Sequence, residues 1–258
     1  MSEVEQIEEN LKKLKKLGVS ETEIIERCES KILSLKNGEL SYVFIKNIKG
    51  ADVKAHGKAI IESKNLEWNY NFAKDVKGAD IKAHGNVVIE SKNAKCNYIF
   101  AKDIEGADIK AHGKVVIESK EPECNFRFAS DVKGADVKAH EKVVIESKNA
   151  VWNYFFALYI KRANIKAHEK VVLESKEPEC NYYFARSVNG ADVMAHGRVI
   201  IESKDSRVND WFKKNFEDEY KILKENNLID NAYNFIDDAL DEMIKENNEE
   251  NKSMQKRS

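Results

Sequence analysis

The chain has 258 residues, of which 42% are hydrophobic and 34% charged, with a formal net charge of −2 and four cysteines. Four cysteines, three of them in step with a repeat (Cys96, Cys124, Cys180), do not make a disulfide framework and suit a reducing compartment. No run approaches the roughly 18 apolar residues of a membrane span, and no apolar segment follows a basic start, so a soluble, unsecreted, cytoplasmic protein is expected.

Residues 1–41 read as a helical N-terminal cap and a worn copy of the later repeats: Cys28 lies one full period before His56, and the stretch from Lys31 to Asn37 is in phase with Ala59 to Asn65. From 42 to 209 the chain is six 28-residue units, marked by His56, His84, His112, His140, His168 and His196. A constant period of this length belongs to a stack of supersecondary units, each covering the apolar side of its neighbour.

Each unit divides into two short helices. Gly50, Gly78, Gly106, Gly134 and Gly190 stand where a first helix, A, should end, and an Asp or Asn two places later is a fitting N-cap for a second, B. Between units, Asn65, Asn93, Asn149 and Asp205 are N-caps, Glu121 and Glu177 are weaker ones, and Pro122 and Pro178 occupy a first-turn position where proline forfeits no hydrogen bond. In the third unit this gives helix A over about Ala94 to Glu105 and helix B over about Ile109 to Lys120.

On helix A, Cys96, Asn97, Phe100, Ala101 and Ile104 share one side. On helix B, Ile109, His112, Val115, Val116 and Ser119 do so, opposite Lys110, Lys114 and Glu118. Phe44, Phe72, Phe100, Phe128, Phe156 and Phe184 should form an apolar spine. The histidines fall where leucine would serve, and are read as buried imidazoles hydrogen-bonded within or between units. Asn69, Asn97, Asn125, Asn153, Asn181 and Asn209 are buried amides that need partners. Past Lys204 the period is taken to end, with two amphipathic helices in a C-terminal cap over 210–247 and a charged, structureless tail over 248–258.

The expected fold is all-α: a right-handed α-solenoid of 28-residue helix-turn-helix repeats with helical caps at both ends. Its repeats, of the type Phe100 to Ala111, resemble the HEAT-like and leucine-rich-repeat-variant α-solenoids. They are also similar to uncharacterised tandem-repeat proteins of low-GC bacteria and their phages. Neither resemblance implies a catalytic motif.

Metal chemistry fails on distance. Stacked helices lie about 8–10 Å apart, whereas two nitrogens on one zinc at about 2.0–2.1 Å each must come far closer together. Trp68, Trp152 and Val208 share the cysteine phase, so that slot calls for bulk rather than a thiol. No catalytic triad, phosphate loop or HExxH-type motif is present. No enzyme, metal or cofactor is therefore expected.

In a repeat protein, function is best sought where one unit departs from the others. The fifth unit carries Val151, Phe155, Leu158 and Tyr159 where other units carry charged or polar residues; Arg162 replaces the turn glycine, and Tyr183 follows in the Phe155 phase. Such a stripe suggests a covered surface, the cover being the C-terminal helices, a second copy in a homodimer, or a protein partner. The leading reading is a non-catalytic scaffold or inhibitor that meets a protein through this surface, on a body about 60 Å long if six units stack at roughly 10 Å each. The alternative is nucleic acid: residues 42–204 hold 27 Lys and Arg against 22 Asp and Glu, and Lys54, Lys82, Lys110, Lys138 and Lys166 form a row that could follow phosphates. Glu62, Glu90 and Glu118 interrupt that row, and no aromatic residues stand among the lysines to stack on bases.

Overall fold

In a computed structural model the described residues are 1–255, with side chains up to Leu228 and at some positions beyond it. Among them every regular element is a helix, and they fall into two compact units, residues 1–147 with 159–161 and residues 148–158 with 162–255.

The first unit holds α1 (Glu3–Lys16), α2 (Glu21–Ser34), α3 (Gly38–Asn47), α4 (Val53–Ser63), α5 (Leu66–Asp75), α6 (Ile81–Glu90), α7 (Ala94–Asp103), α8 (Ile109–Ser119), α9 (Pro122–Asp131) and α10 (Val137–Glu146). From α3 onward each odd helix is a helix A paired with the helix B that follows it. Helices A pack on helices A of the next repeat and helices B on helices B, which makes two layers, while α1 and α2 pack on the first hairpin. This is the packing of an α-solenoid built from 28-residue repeats. The second unit holds nearly all of α11 (Ala150–Tyr159), then α12 (Ile165–Ser175), α13 (Pro178–Ser187), α14 (Val193–Glu202), α15 (Ser206–Asn215) and α16 (Glu217–Gln255), and α12 to α14 repeat the same arrangement.

The helix boundaries follow local chemistry. Asp80, Asp108 and Asp136 each accept a backbone N–H from the third residue beyond, at 3.0–3.1 Å, as does Asn164 at 3.2 Å. Asn65 and Asn93 cap helices A in the same way, whereas Glu121 and Glu177 make no side-chain cap and the helices after them begin on proline. One boundary differs from expectation. Helix A ends at Asp75, Asp103 or Asp131, and Val76, Ile104 and Val132 after it are extended, so the glycine sits in a separate turn with φ of +84° to +89°. Those apolar C-cap residues keep the helical spacing although the backbone has left the helix.

The period also runs further than the histidines suggest. Phe212 lies one period after Phe184 and, like the six phenylalanines before it, is completely buried. Helix α15 is thus one more helix A, with α16 against it in place of a helix B. The stretch 248–258, expected to lack structure, is helical in backbone to Gln255, and 256–258 lie outside the described residues.

The polar ladder inside the stack joins three helices per rung. Asn97 donates through Nδ2 to the Val88 carbonyl of the preceding helix B and to the Asn93 carbonyl at its own N-cap, both at 2.9 Å. Those two bonds identify the remaining atom as Oδ1, which lies 2.7 Å from His112 Nδ1 on the next helix B. The same contact recurs at His84, His140, His168 and His196, at 2.7–2.8 Å. Because the amide oxygen can only accept, Nδ1 carries the proton and the neutral imidazole leaves Nε2 as a lone pair. Each ring also lies against the phenylalanine of its own repeat, with Phe100 and His112 stacked at 4.9 Å between centroids.

Burial in this apolar setting pushes His84, His112, His140 and His196 down to about 4, against which the nearby Asp80, Asp108, Asp136 and Glu169 act only weakly. The folded pKa lies below the unfolded value of about 6.5, so the unfolded chain binds more protons between the two. Stability is therefore complete above about pH 6.5 and falls as the pH drops toward 4, by up to about 1.4 kcal/mol per pH unit for each such imidazole. Urea titrations followed by circular dichroism should show a midpoint that is flat from pH 9 to 7 and drops steeply between pH 6.5 and 4.5; a midpoint flat throughout would mean that the folded protein takes up protons on these rings as readily as the unfolded chain does.

Candidate functional site

Two surfaces concern function, one on helices A and one on helices B. The helix A surface of the first unit carries a polar pattern between repeats. Tyr42 donates its hydroxyl to Asp75 at 2.5 Å and Tyr70 to Asp103 at 2.7 Å, and Tyr98 does the same to Asp131. Lys46, Lys74 and Lys102 lie beside these carboxylates at 3.0–4.0 Å. Each pair joins residues 33 apart, one repeat plus five residues, so the bond is invisible in either repeat alone. Phe126 stands where the next tyrosine should be and Tyr159 where the next aspartate should be, and their rings meet at 6.4 Å. Both members of the pair have changed, and a ring contact stands in for a hydrogen bond. That accounts for Tyr159, although 64% of its surface is still exposed.

In the second unit this surface is aromatic. Val151 and Tyr183 are 39% and 38% exposed, Phe155 is half-buried between Trp152 and Tyr154, and Leu158 leans on the core cluster around Ala157 and Val172. Tyr183 lies 6.3 Å from Tyr154 on one side and 6.3 Å from Trp211 on the other, with Tyr182 filling between. Arg207 places its guanidinium 5.0 Å from the Trp211 ring and pairs with Glu179. Trp211 is not among the binding residues expected from the sequence, yet its signal is there. Phe155, Tyr183 and Trp211 share one phase, held in earlier repeats by Asn71, Ile99 and Arg127; ending the period at Lys204 hides the third member. Tyr159 belongs to the first unit, while Val151, Phe155, Leu158, Arg162 and Tyr183 belong to the second.

The helix B surface carries the lysine rows. Lys58, Lys114, Lys142 and Lys170 each face a glutamate one turn on, at 3.7–3.9 Å and mostly in solvent, where such pairs contribute about 0–1 kcal/mol. Lys54 and Lys110 line clefts between successive helices B, Lys82 and Lys138 occupy the same register, and Lys166 pairs with the buried Glu169 at 2.8 Å. Among the described residues no group of three His, Cys, Asp or Glu is placed to hold a metal ion. Cys124 and Cys180 lie within 3.3 Å of glutamate oxygens, and burial, reinforced by those carboxylates, pushes their thiols up to about 12, so they are weak nucleophiles.

No protein-family model, no curated protein and no solved structure matches the chain.

Arg162 holds a backbone φ of +73° in the turn where the other repeats have glycine at +84° to +89°. A non-glycine residue there costs about 1–2 kcal/mol. Arg162→Gly should therefore raise the melting temperature, by roughly 2–4 °C per kcal/mol in a chain of this size. Scanning calorimetry checks this, and a lower melting temperature would show that the arginine side chain stabilises the unit by more than its backbone costs.

Proposed function

We propose that the protein is a non-catalytic interaction scaffold or inhibitor that engages a protein partner through the helix A surface of its second unit. One observation carries the reading: a single repeat column changes from Asn71, Ile99 and Arg127 to Phe155, Tyr183 and Trp211, so that rings stand on three successive helices A. Trp211 also packs against the core cluster around Val208 and Phe212, whereas Tyr183 stays more than a third exposed. The phenylalanine spine and the asparagine rungs are alike in the repeats that carry Asn71, Ile99 and Arg127 instead. Aromatic side chains in a row, edged by Arg207 and by the exposed Val151, have the composition of an interface centre. Nucleic acid is disfavoured because the rings stand on helices A and the lysine rows on helices B, whereas single strands need stacking platforms interleaved with positive charge.

Tyr183→Asp combined with Val151→Asp tests this, since both positions are more than a third exposed. Far-ultraviolet circular dichroism should be unchanged, while recovery of the partner by cross-linking in the native host should fall tenfold or more, as expected for loss of a hot spot worth about 2 kcal/mol. Equal recovery of the same partner by variant and parent would overturn the reading.

A further inference from the structure

Helix α16 turns polar residues toward its own repeats and apolar residues away from them. Its start is anchored: Leu223 is 4% exposed and, with Tyr220, packs on the cluster of Ile200, Val208 and Phe212. One and two turns further on, Asn227 and Asn231 continue the side of Leu223. They are joined by a hydrogen bond at 2.9 Å and share a cleft with Arg198, Ile201 and Glu202 of α14. At about 3.6 residues per turn, Ile222, Ile236 and Leu240 fall on the far side of the helix, flanked by Leu228 and Phe235. These five are 48–74% exposed.

A helix is held in water by the packing of its apolar side more than by propensity, yet beyond Leu228 the described residues give that side no cover. The sequence indicates what would fit it. From 229 to 243 apolar residues recur at alternate steps of four and three (Ile229, Tyr233, Ile236, Leu240, Met243), and Ile222 stands one heptad earlier. An apolar stripe averaging about 3.5 residues per turn fits a helix with the same period.

We propose that α16 is a self-association helix, through which two copies of the chain join by packing this stripe against its counterpart. The surface lies on α16 alone and does not depend on the aromatic column of helices A. At roughly 100 Å² of apolar surface apiece, the five exposed side chains of two copies come to about 1,000 Å², the size at which specific interfaces begin. Charge argues against other occupants. Asp237, Asp238, Asp241 and Glu242 stand on the polar part of the helix, and Lys245 is the one basic residue between 228 and 245. Such a helix repels nucleic acid and anionic lipid, and helices that lie on membranes carry lysine and arginine there instead. In the purified protein the one other helix with a matching stripe is the same helix of a second copy.

The test is light scattering on the full chain at concentrations from about 1 to about 100 µM. The mass should reach twice that of one chain as the concentration rises. Phe235→Glu with Ile236→Glu, two side chains at least half exposed, should raise the concentration needed for association at least tenfold and leave the melting temperature of the repeats unchanged. Leu228→Glu with Leu240→Glu should do the same, and decides the matter if the first pair unfolds the protein. Tyr183→Asp with Val151→Asp, on the aromatic column, should leave the doubled mass as it is. The proposal is overturned by a single-chain mass at every concentration, which would assign the stripe to a different protein. It is overturned equally by association that survives both glutamate pairs, or by association that only the aromatic-column pair abolishes.

Discussion

The asparagine in the middle of each helix A is the constraint on which the repeat depends. A buried carboxamide offers two donors and an acceptor, and any of them left unmade costs about 1–3 kcal/mol. Asn97 satisfies all three at once, each with a different segment: the end of the preceding helix B, the start of its own helix, and the imidazole of the next helix B. The rung thereby fixes one hairpin against the last and the two helices of a hairpin against each other. It also fixes the count. The imidazole lies 15 residues beyond the amide in every rung, so an inserted or deleted residue in the turn would separate a buried pair, and the six units accordingly share one length.

Much of this is legible from spacing alone. The histidine progression reveals the repeat; Asp80, Asn65 and Pro122 mark helix starts through rules that need only local sequence; and Asn97 demands partners as soon as it is placed on the phenylalanine side. Other parts are hidden for physical reasons. Ile104 continues the apolar period of helix A although its backbone is extended, so periodicity places the end of the helix too late. The Tyr70–Asp103 bond joins residues of different repeats and leaves no pattern within one. Tyr159 reads as part of the fifth unit's apolar stripe because its ring partner, Phe126, belongs to the repeat before. The seat of Glu169 is the hardest to foresee, since an Asp backbone N–H supplies its shortest contact and backbone groups have no sequence signature.

The division of labour between columns explains how one scaffold carries two dissimilar surfaces. Phenylalanine, asparagine and histidine occupy the positions that make the fold, and they are held constant from Phe72 to His196. Other columns are released from that duty. On helices A the Asn71 column drifts to aromatic rings, and on helices B the Gly57 column alternates between glycine and a glutamate such as Glu169. Neither change disturbs a rung, because the side chains concerned lie off the line that joins amide, imidazole and carbonyl.

The rungs stop at both ends of the series, and each end shows it. At the first repeat Ser41 takes the asparagine position, and its hydroxyl and both nitrogens of His56 are buried without a hydrogen-bond partner. At the far end Asn209 makes its two donor bonds, but its oxygen has no imidazole to meet, because Lys224 stands at the position where a histidine would complete the rung. Where stability is a sum of nearest-neighbour couplings, an unmade rung is a weak link. Within each unit, fraying should begin from the hairpin whose rung is unmade, so amide exchange would slow from that end inward. Lengthening the array by duplicating a whole middle module would leave both margins chemically unaltered, which makes the number of modules easier for evolution to change than the contents of any one.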